Sequence, residues 1–374
     1  MSETSQSNMT AGEPAGGLRR VGRSRLSVGA LGFGAAPLGD IRLSARTCLD
    51  TVAAAWAGGV RFFDTAPWYG IGRSERRLGL ALADCAAGEP FRLNTKVGRR
   101  LEPEPVINDQ LRTLAPGGGP RTPRDPASGH RVHFDYTEAG IVQQHRDSLT
   151  RLGLPRVDSL TLHDIDHGYH HADQVETALA QLDRHRGGGA RALESLRAAG
   201  LIDAIGAGCN REMRNFASWE DGRHEDLIER IADSIALDFL VIAGPYTLLD
   251  TLALRRVLPL CEARGIGVII ASPFAGGWLV APERVGYMYG QTPPEIAERT
   301  ARLRAVAAQC EAPIAAAALQ FALAHPAVAA VIPGARSAAE ASAAAALLST
   351  PVPAEFWTAL KTQGLLDEAA PTPA

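Results

Sequence analysis

Eight times along this chain of 374 residues, a short apolar run gives way to a stretch with helical spacing. The runs are Val28–Gly39, Val60–Asp64, Phe91–Gly98, Arg156–Asp164, Leu201–Asn210, Ser234–Gly244, Ile266–Phe274 and Ala327–Ala335. Many are continuous rather than alternating, as in "FLVIA" and "GVIIA", which marks strands covered on both faces. Such strands joined by helices form parallel sheets, because a parallel neighbour is reached only through a crossover. Eight units predict an α/β fold of the (β/α)8 TIM-barrel type, one domain with long loops at the C-terminal face. A doubly wound sheet is the competing architecture. It is disfavoured because no GxGxxG follows the first run, where "LGFGAAPLG" spaces its glycines differently.

Local punctuation supports the rhythm. Ser44 is expected to cap a helix ending at Gly59, Ser74 to cap one ending at Cys85, and Thr137 to open one reaching Leu154. Two segments break the alternation. Leu101–His133 is rich in proline and glycine, and Asp166–Gly189 follows the fourth strand. Both are expected as loops on the face carrying the C-terminal strand ends. The barrel is expected over 21–366, between a disordered N-terminal tail at 1–20 and a C-terminal tail at 367–374. The opening "MSETSQSNMTAGEPAGG" has neither a basic start nor an apolar stretch, unlike a secretion signal.

Bulk chemistry removes several function classes. With 38 basic and 41 acidic residues the net charge is −3, so charge does not indicate nucleic acid or an anionic membrane as partner. No uncharged apolar window reaches 18 residues, and no membrane span is expected. Five cysteines without a CxxC pair suit neither a disulfide framework nor a zinc site, and fit a reducing cytoplasm. A metal reading of "HDIDHGYHH" rests on His163 and His167 being four apart, with His170 and His171 nearby. Gly168 interrupts any shared helix face, so the expected metal set is empty.

Three neighbouring strands end in different titratable groups: Asp64 after "RFF", Lys96 in "LNTKVG" and His163 in "LTLHD". Tyr69 follows Asp64 behind a proline. On a barrel these groups converge on one mouth, where catalysis is built. Taken singly, each has an ordinary explanation as turn former, packed aromatic or solvated charge. None of those explanations accounts for the shared address.

This constellation, "DTAPWYGIGRSE" with "NTKVG" and "LHD", resembles the aldo-keto reductase family from about Leu26 to the last helix. The resemblance implies a nicotinamide-dependent oxidoreductase. Tyr69 is its general acid or base, assisted by Lys96, Asp64 and His163. It further implies cofactor contacts from Gly34, from Asn210 at the end of strand five, and from Ser272, Phe274 and Gly276 after strand seven. Gly334, Arg336 and Glu340 in "IPGARSAAE" would grip the adenosine half. Trp68 and His163 are expected at the substrate, with Trp68, Tyr69 and Phe274 as apolar walls. The family's glutamine beneath the nicotinamide is replaced near Ala243, with Tyr246 close behind. Gly334-Ala335 and Glu340 stand where NADP-specific members carry a phosphate-binding Lys-Ser and Arg, so the cofactor, NAD or NADP, leans to NAD. The phrases "LGFGAAPLGD", "GPYTLLDT" and "FWTALKTQGLL" resemble the branch of L-fucose, or D-threo-aldose 1-, dehydrogenases, close to pyridoxal 4-dehydrogenases. The expected substrate is a sugar oxidised at C1 to its lactone. The alternatives are NADPH-dependent aldehyde or ketone reduction, pyridoxal oxidation, and a non-catalytic nucleotide-binding barrel.

Overall fold

In the computed structural model, which describes residues 17–103 and 129–373, eight parallel strands form one sheet. They are β3 (Phe33–Gly34), β4 (Phe62–Asp64), β5 (Arg92–Val97), β8 (Ser159–Leu162), β9 (Ala204–Asn210), β10 (Phe239–Ala243), β11 (Gly267–Ala271) and β12 (Val328–Ile332), neighbours in that order. Parallel bridges Leu31–Val331 and Gly34–Gly334 join the first strand to the last and close the barrel. Helices follow the strands, as the alternation predicts.

Side chains alternate along each strand, so the barrel has two cores. Phe63, Leu93, Leu160, Leu162, Ile205, Leu240, Ile242, Val268 and Ile270 pack against the helices. Phe62, Ala204, Phe239, Val241, Ile269, Ala330 and Ile332 fill the interior. The bottom is plugged by a hairpin of β1 (Leu18–Arg20) and β2 (Ser27–Gly29), whose Val21, Leu26 and Val28 join the interior cluster. Gly22 makes the plug possible. Its φ is +55°, and a Cβ there would come within 2.6 Å of the Gly267 nitrogen.

The hairpin corrects the expectation that the strand and loop over Val28–Gly39 begin the barrel at Val28. Val28 pairs with Arg19, and the chain reaches the barrel only at Leu31. Leu18–Arg20, inside the expected tail, is therefore a paired strand, while 1–16 lie outside the described residues. At the other end Ala370 is buried, and Lys361 Nζ donates to the Glu368 carbonyl, so 367–373 pack onto the body.

Ser44 and Thr137 cap their helices (Ala45–Ala57 and Glu138–Leu152), accepting from the Thr47 and Gly140 amides. Ser74 does not cap. The helix starts at Arg73 after Gly72, and the Ser74 hydroxyl donates to the Ala35 carbonyl at 2.7 Å and shares a hydrogen bond with Thr65. It ties the ends of β3 and β4 together rather than satisfying a helix terminus.

Both insertions leave from C-terminal strand ends. Arg99–Pro103 (β6) and His130–Phe134 (β7) form an antiparallel ribbon directly after β5, and 104–128 between them lie outside the described residues. The second insertion carries the helix Ala172–Leu182. Among the described residues no single helix is long and apolar enough to cross a membrane.

Gly79 sets how closely the helix Arg73–Ala86 approaches Glu138–Leu152. A Cβ there would fall inside the Leu152 carbonyl and only 2.8 Å from its Cα. An exposed helical Gly→Ala change ordinarily stabilises by up to about 1 kcal/mol. Here Gly79→Ala is expected to destabilise by about 2–3 kcal/mol, because backbone rather than a flexible side chain must move. Urea unfolding of the two proteins checks the sign.

Candidate active site

β4, β5 and β8 lie side by side in register, with Asp64 opposite Asn94 and Lys96 opposite Thr161. That register gathers the inward-facing residues at one height. Lys96 Nζ donates to Asp64 Oδ2 at 2.7 Å, to Oδ1 at 2.9 Å and to the Thr65 carbonyl at 2.9 Å. The ammonium sits 4.8 Å from the centre of the Tyr69 ring, and the Tyr69 and His163 rings meet edge to face at 5.8 Å. The Tyr69 turn is held by close backbone contact. A Cβ on Gly39 would lie 2.6 Å from the Tyr69 carbonyl carbon, and Gly70 adopts φ +65°.

Behind the pair stands Asn94. Its Nδ2 donates to Asp64 Oδ1 at 2.7 Å, while its Oδ1 accepts from Ser159 at 2.9 Å and Thr161 at 3.1 Å. The carboxylate is thus aimed by an amide that is itself aimed from β8.

The electrostatics follow. Burial alone would push the Lys96 ammonium down, but the Asp64 carboxylate and Tyr69 raise it to about 12. Burial raises the Tyr69 phenol above its ordinary value, Lys96 pulls it back and Asp64 opposes that pull. The ammonium therefore limits the rise without reversing it, and at neutral pH Tyr69 carries its proton. Burial, with Arg99 and Lys96 nearby, holds His163 well below its usual range, so its imidazole is neutral.

Around these groups opens a cleft of about 1060 Å³, counting its solvent-filled mouth. Asp64, Trp68, Tyr69, Lys96 and His163 line it, with Gly34, Asn210, Ser272 and Gly334. Phe274, Gly276, Arg336 and Glu340 are absent from its wall. Ser272 takes a left-handed conformation, φ +53°, and the turn sends Phe274 against the outer core instead. Arg336 donates to Asp40 Oδ2 at 2.6 Å, and Glu340 accepts from the Arg336 amide at 2.8 Å. Ala243 does line the cleft, but Tyr246 is buried against Phe321 and His325, ring centres 5.0 and 5.7 Å away. It offers no ring to the cleft. The apolar wall expected of Phe274 is supplied by Tyr169, beside Trp68.

Several groups escaped the sequence reading. Asp164, at φ +51°, accepts from Arg99 and from the Asn210 amide, and its Oδ2 lies 3.3 Å from His163 Nε2. Arg99 is wedged among the rings of Trp68, Phe134 and Tyr169. Glu212 and Arg214 pair at 2.7 Å on the cleft wall. The signal available for Asn94 was its place two residues before Lys96, on the same strand face. His167 and His170 go to separate neighbours: His167 lies 6.3 Å from His224, and His170 packs at a tilt against Phe134 at 4.3 Å. Among the described residues no group of three His, Cys, Asp or Glu is placed to hold a metal.

Comparison with known proteins matches residues 30–363 to the Aldo/keto reductase family. The chain belongs to that family. It is 37% identical over 361 residues to pyridoxal 4-dehydrogenase of Microbacterium luteolum, covering 93% of this chain and 97% of that protein. It is 35% identical to D-threo-aldose 1-dehydrogenase of a Pseudomonas species, covering 93% and 96%. Its fold superimposes on the holo form of aldo-keto reductase AKR11C1 from Bacillus halodurans with a TM-score of 0.65 at 24% identity, over 94% of this chain and 97% of the other. This aldo-keto reductase is accordingly an oxidoreductase acting on a small molecule, built on the (β/α)8 barrel that its strand rhythm predicts.

Proposed function

We propose that this aldo-keto reductase oxidises a cyclic hemiacetal to a lactone, an aldose at C1 in the first place and pyridoxal in the second, with a nicotinamide cofactor. The observation that carries the reading is the convergence of Tyr69, Lys96, Asp64 and His163 on one cleft. The names of two similar relatives, an aldose dehydrogenase and a pyridoxal dehydrogenase, support this choice of substrate class.

The residues present suit a dinucleotide. Gly34, Gly208 and Gly334 lie on the wall without side chains, and the first two are packed closely from behind, since a Cβ on Gly34 would press on the Ile332 carbonyl at 2.8 Å and one on Gly208 on Asp164 at 3.2 Å. Asn210 and Ser272 supply polar groups beside them, and Gly334 precedes a helix N-terminus (Ala338–Leu347). When bound, the nicotinamide accepts the hydride released from carbon 1. The chain handles the proton and the geometry. Tyr69 takes the proton of the reacting hydroxyl, Lys96 stabilises the phenolate form, and Asp64 keeps Lys96 charged and in place. Neutral His163 hydrogen-bonds and orients the reacting oxygen, Trp68 walls the sugar, and the five free cysteines fit the cytoplasm.

NAD is the preferred partner. A 2′-phosphate beside "GARSAAE" would meet the Glu340 carboxylate, and Arg336 is already paired with Asp40, itself shared with Arg42 at 2.7 Å. Phe274, Gly276, Arg336 and Glu340 remain assigned to the pyrophosphate and adenosine side, beyond the cleft wall.

The test is to supply NAD or NADP with a panel of aldoses and pyridoxal and follow the absorbance of the reduced cofactor. Turnover with NAD supports the reading. NADPH-driven reduction of simple aldehydes without any sugar oxidation replaces it with a reductase, and cofactor binding without turnover in either direction with a non-catalytic barrel.

The pH profile follows from the two shifts. Tyr69 is raised, so its base form is scarce at pH 7 and grows up to about tenfold per unit below its pKa. His163 is lowered, so it stays uncharged across that range. The kcat/KM for oxidation is expected to climb from pH 7 to pH 10 with no inflection near 6.5. An acid limb at 6.5 that disappears in His163→Gln would show that His163 titrates in the working range.

A further inference from the structure

Among the described residues, every charged group on the cleft wall is already matched. Lys96 faces Asp64 and Arg214 faces Glu212, each at 2.7 Å, and Asp164 is matched by Arg99 just behind the wall. His163 adds no charge. Both arginines are also held in place by packing. Arg99 is closed in by three aromatic rings, with its guanidinium carbon 3.9 Å from the centre of the Tyr169 ring. Arg214 lies 4.2 Å over the same ring and is pressed against Gly168, where even a Cβ would collide with its side chain. Among the described residues, the cations lining this cleft are therefore spoken for, and the carboxylates beside them face the same space.

We infer that Glu212 is a specificity residue that keeps anionic substrates from the substrate end of the cleft, beside Trp68 and Tyr169: by neutralising Arg214 it confines the enzyme to uncharged hemiacetals and excludes the phosphorylated or carboxylated versions of the same sugars. An entering phosphate or carboxylate loses its water and finds no cation to replace it unless it breaks a pair, which leaves a carboxylate uncompensated beside it. A neutral polyol meets no such penalty, because its hydroxyls donate to the lone pairs that the paired carboxylates leave unused. Selection of this kind is rejection of the wrong ligand rather than extra attraction for the right one. The inference deepens the proposed function and rests on it for the choice of substrate.

The experiment compares a hexose with its hexuronic acid, both of which close to pyranose rings, in the full-length protein. Two readouts are taken: kcat/KM with NAD, and Kd from quenching of tryptophan fluorescence, since Trp68 lines the cleft. The wild-type protein is expected to favour the neutral sugar by at least about 100-fold. Glu212→Gln uncovers Arg214 and is expected to narrow that ratio about tenfold or more, chiefly through Kd and KM for the acid. Arg214→Gln, which leaves Glu212 unpaired, widens it. The double variant returns near the wild-type ratio, which a merely structural role for Glu212 would not produce. A wild-type protein that handles the uronic acid as well as the hexose overturns the inference, and so does a ratio unmoved in Glu212→Gln. A protein that binds the neutral sugar selectively yet oxidises nothing overturns the proposed function while leaving the charge selection standing.

Discussion

Tyr69→Phe loses at least about 10³-fold in kcat for oxidation while the protein keeps its fold and its affinity for NAD within about twofold. The reasoning is local. The change deletes one oxygen and leaves a ring of the same shape between Lys96, 4.8 Å from its centre, and His163 at 5.8 Å. Packing is therefore preserved, and the Gly39–Gly70 contact that holds the turn involves backbone alone. What disappears is the hydroxyl assigned to exchange a proton with the reacting hydroxyl. Lys96 is raised to about 12 and already donates to three oxygens. His163 is held neutral at working pH and stays a poor base. Steady-state rates and a fluorescence titration of NAD, run side by side, make the check. Activity surviving within tenfold would move the proton to another residue, and Asp164 beside His163 would be the first to examine.

How much of this was readable beforehand depends on distance along the chain. Each barrel strand announces itself locally, through a continuous apolar run and the helix that follows. Asp64, Lys96 and His163 were legible for the same reason, because each sits at the end of its own strand with its own local phrase, and Tyr69 follows Asp64 in the turn after β4. The groups that were missed acquire their meaning only from register. Arg99 meets Asp164 65 residues on, and Asn94 is held by Thr161 67 residues on, contacts that exist because β5 and β8 pair in one alignment. Neither pair has a periodic signature. Errors of a second kind came from reading a residue type by its commonest job. Ser74 looks like a cap but fastens two strand ends, and Phe274 looks like a cleft wall until the left-handed Ser272 turns it outward. The plug hairpin hid because Val28 belongs to the same apolar run as Phe33, although only the latter enters the barrel sheet.

Lys96→Met separates what holds the site from what makes it work. Lys96 and Asp64 are each about 4% exposed, so removing the ammonium strands a carboxylate in the interior with the Asn94 amide as its remaining side-chain partner. Breaking a buried pair from one side costs about 3–5 kcal/mol, and the variant is expected to unfold at correspondingly lower urea. Turnover should fall by about 10² or more, because the phenolate of Tyr69 loses the charge that favours it. The double variant Lys96→Met/Asp64→Asn removes the stranded charge as well. Its stability should return to within about 1–2 kcal/mol of the parent, since a neutral buried set can replace an ion pair at little net cost. Its activity should not return. The pH dependence gives a further handle on the sign. The Lys96 pKa is raised, so the stability it contributes is complete below its unfolded value of 10.5 and is lost only as pH climbs through about 12. Urea midpoints of the parent should show no loss from this pair between pH 7 and 9. Double-variant stability that stays as low as that of Lys96→Met would mean the pair holds the barrel by packing rather than by charge. Recovery of both stability and turnover would remove Lys96 from the proton-handling machinery altogether, leaving Tyr69 to be tuned by burial and the Asp164 carboxylate.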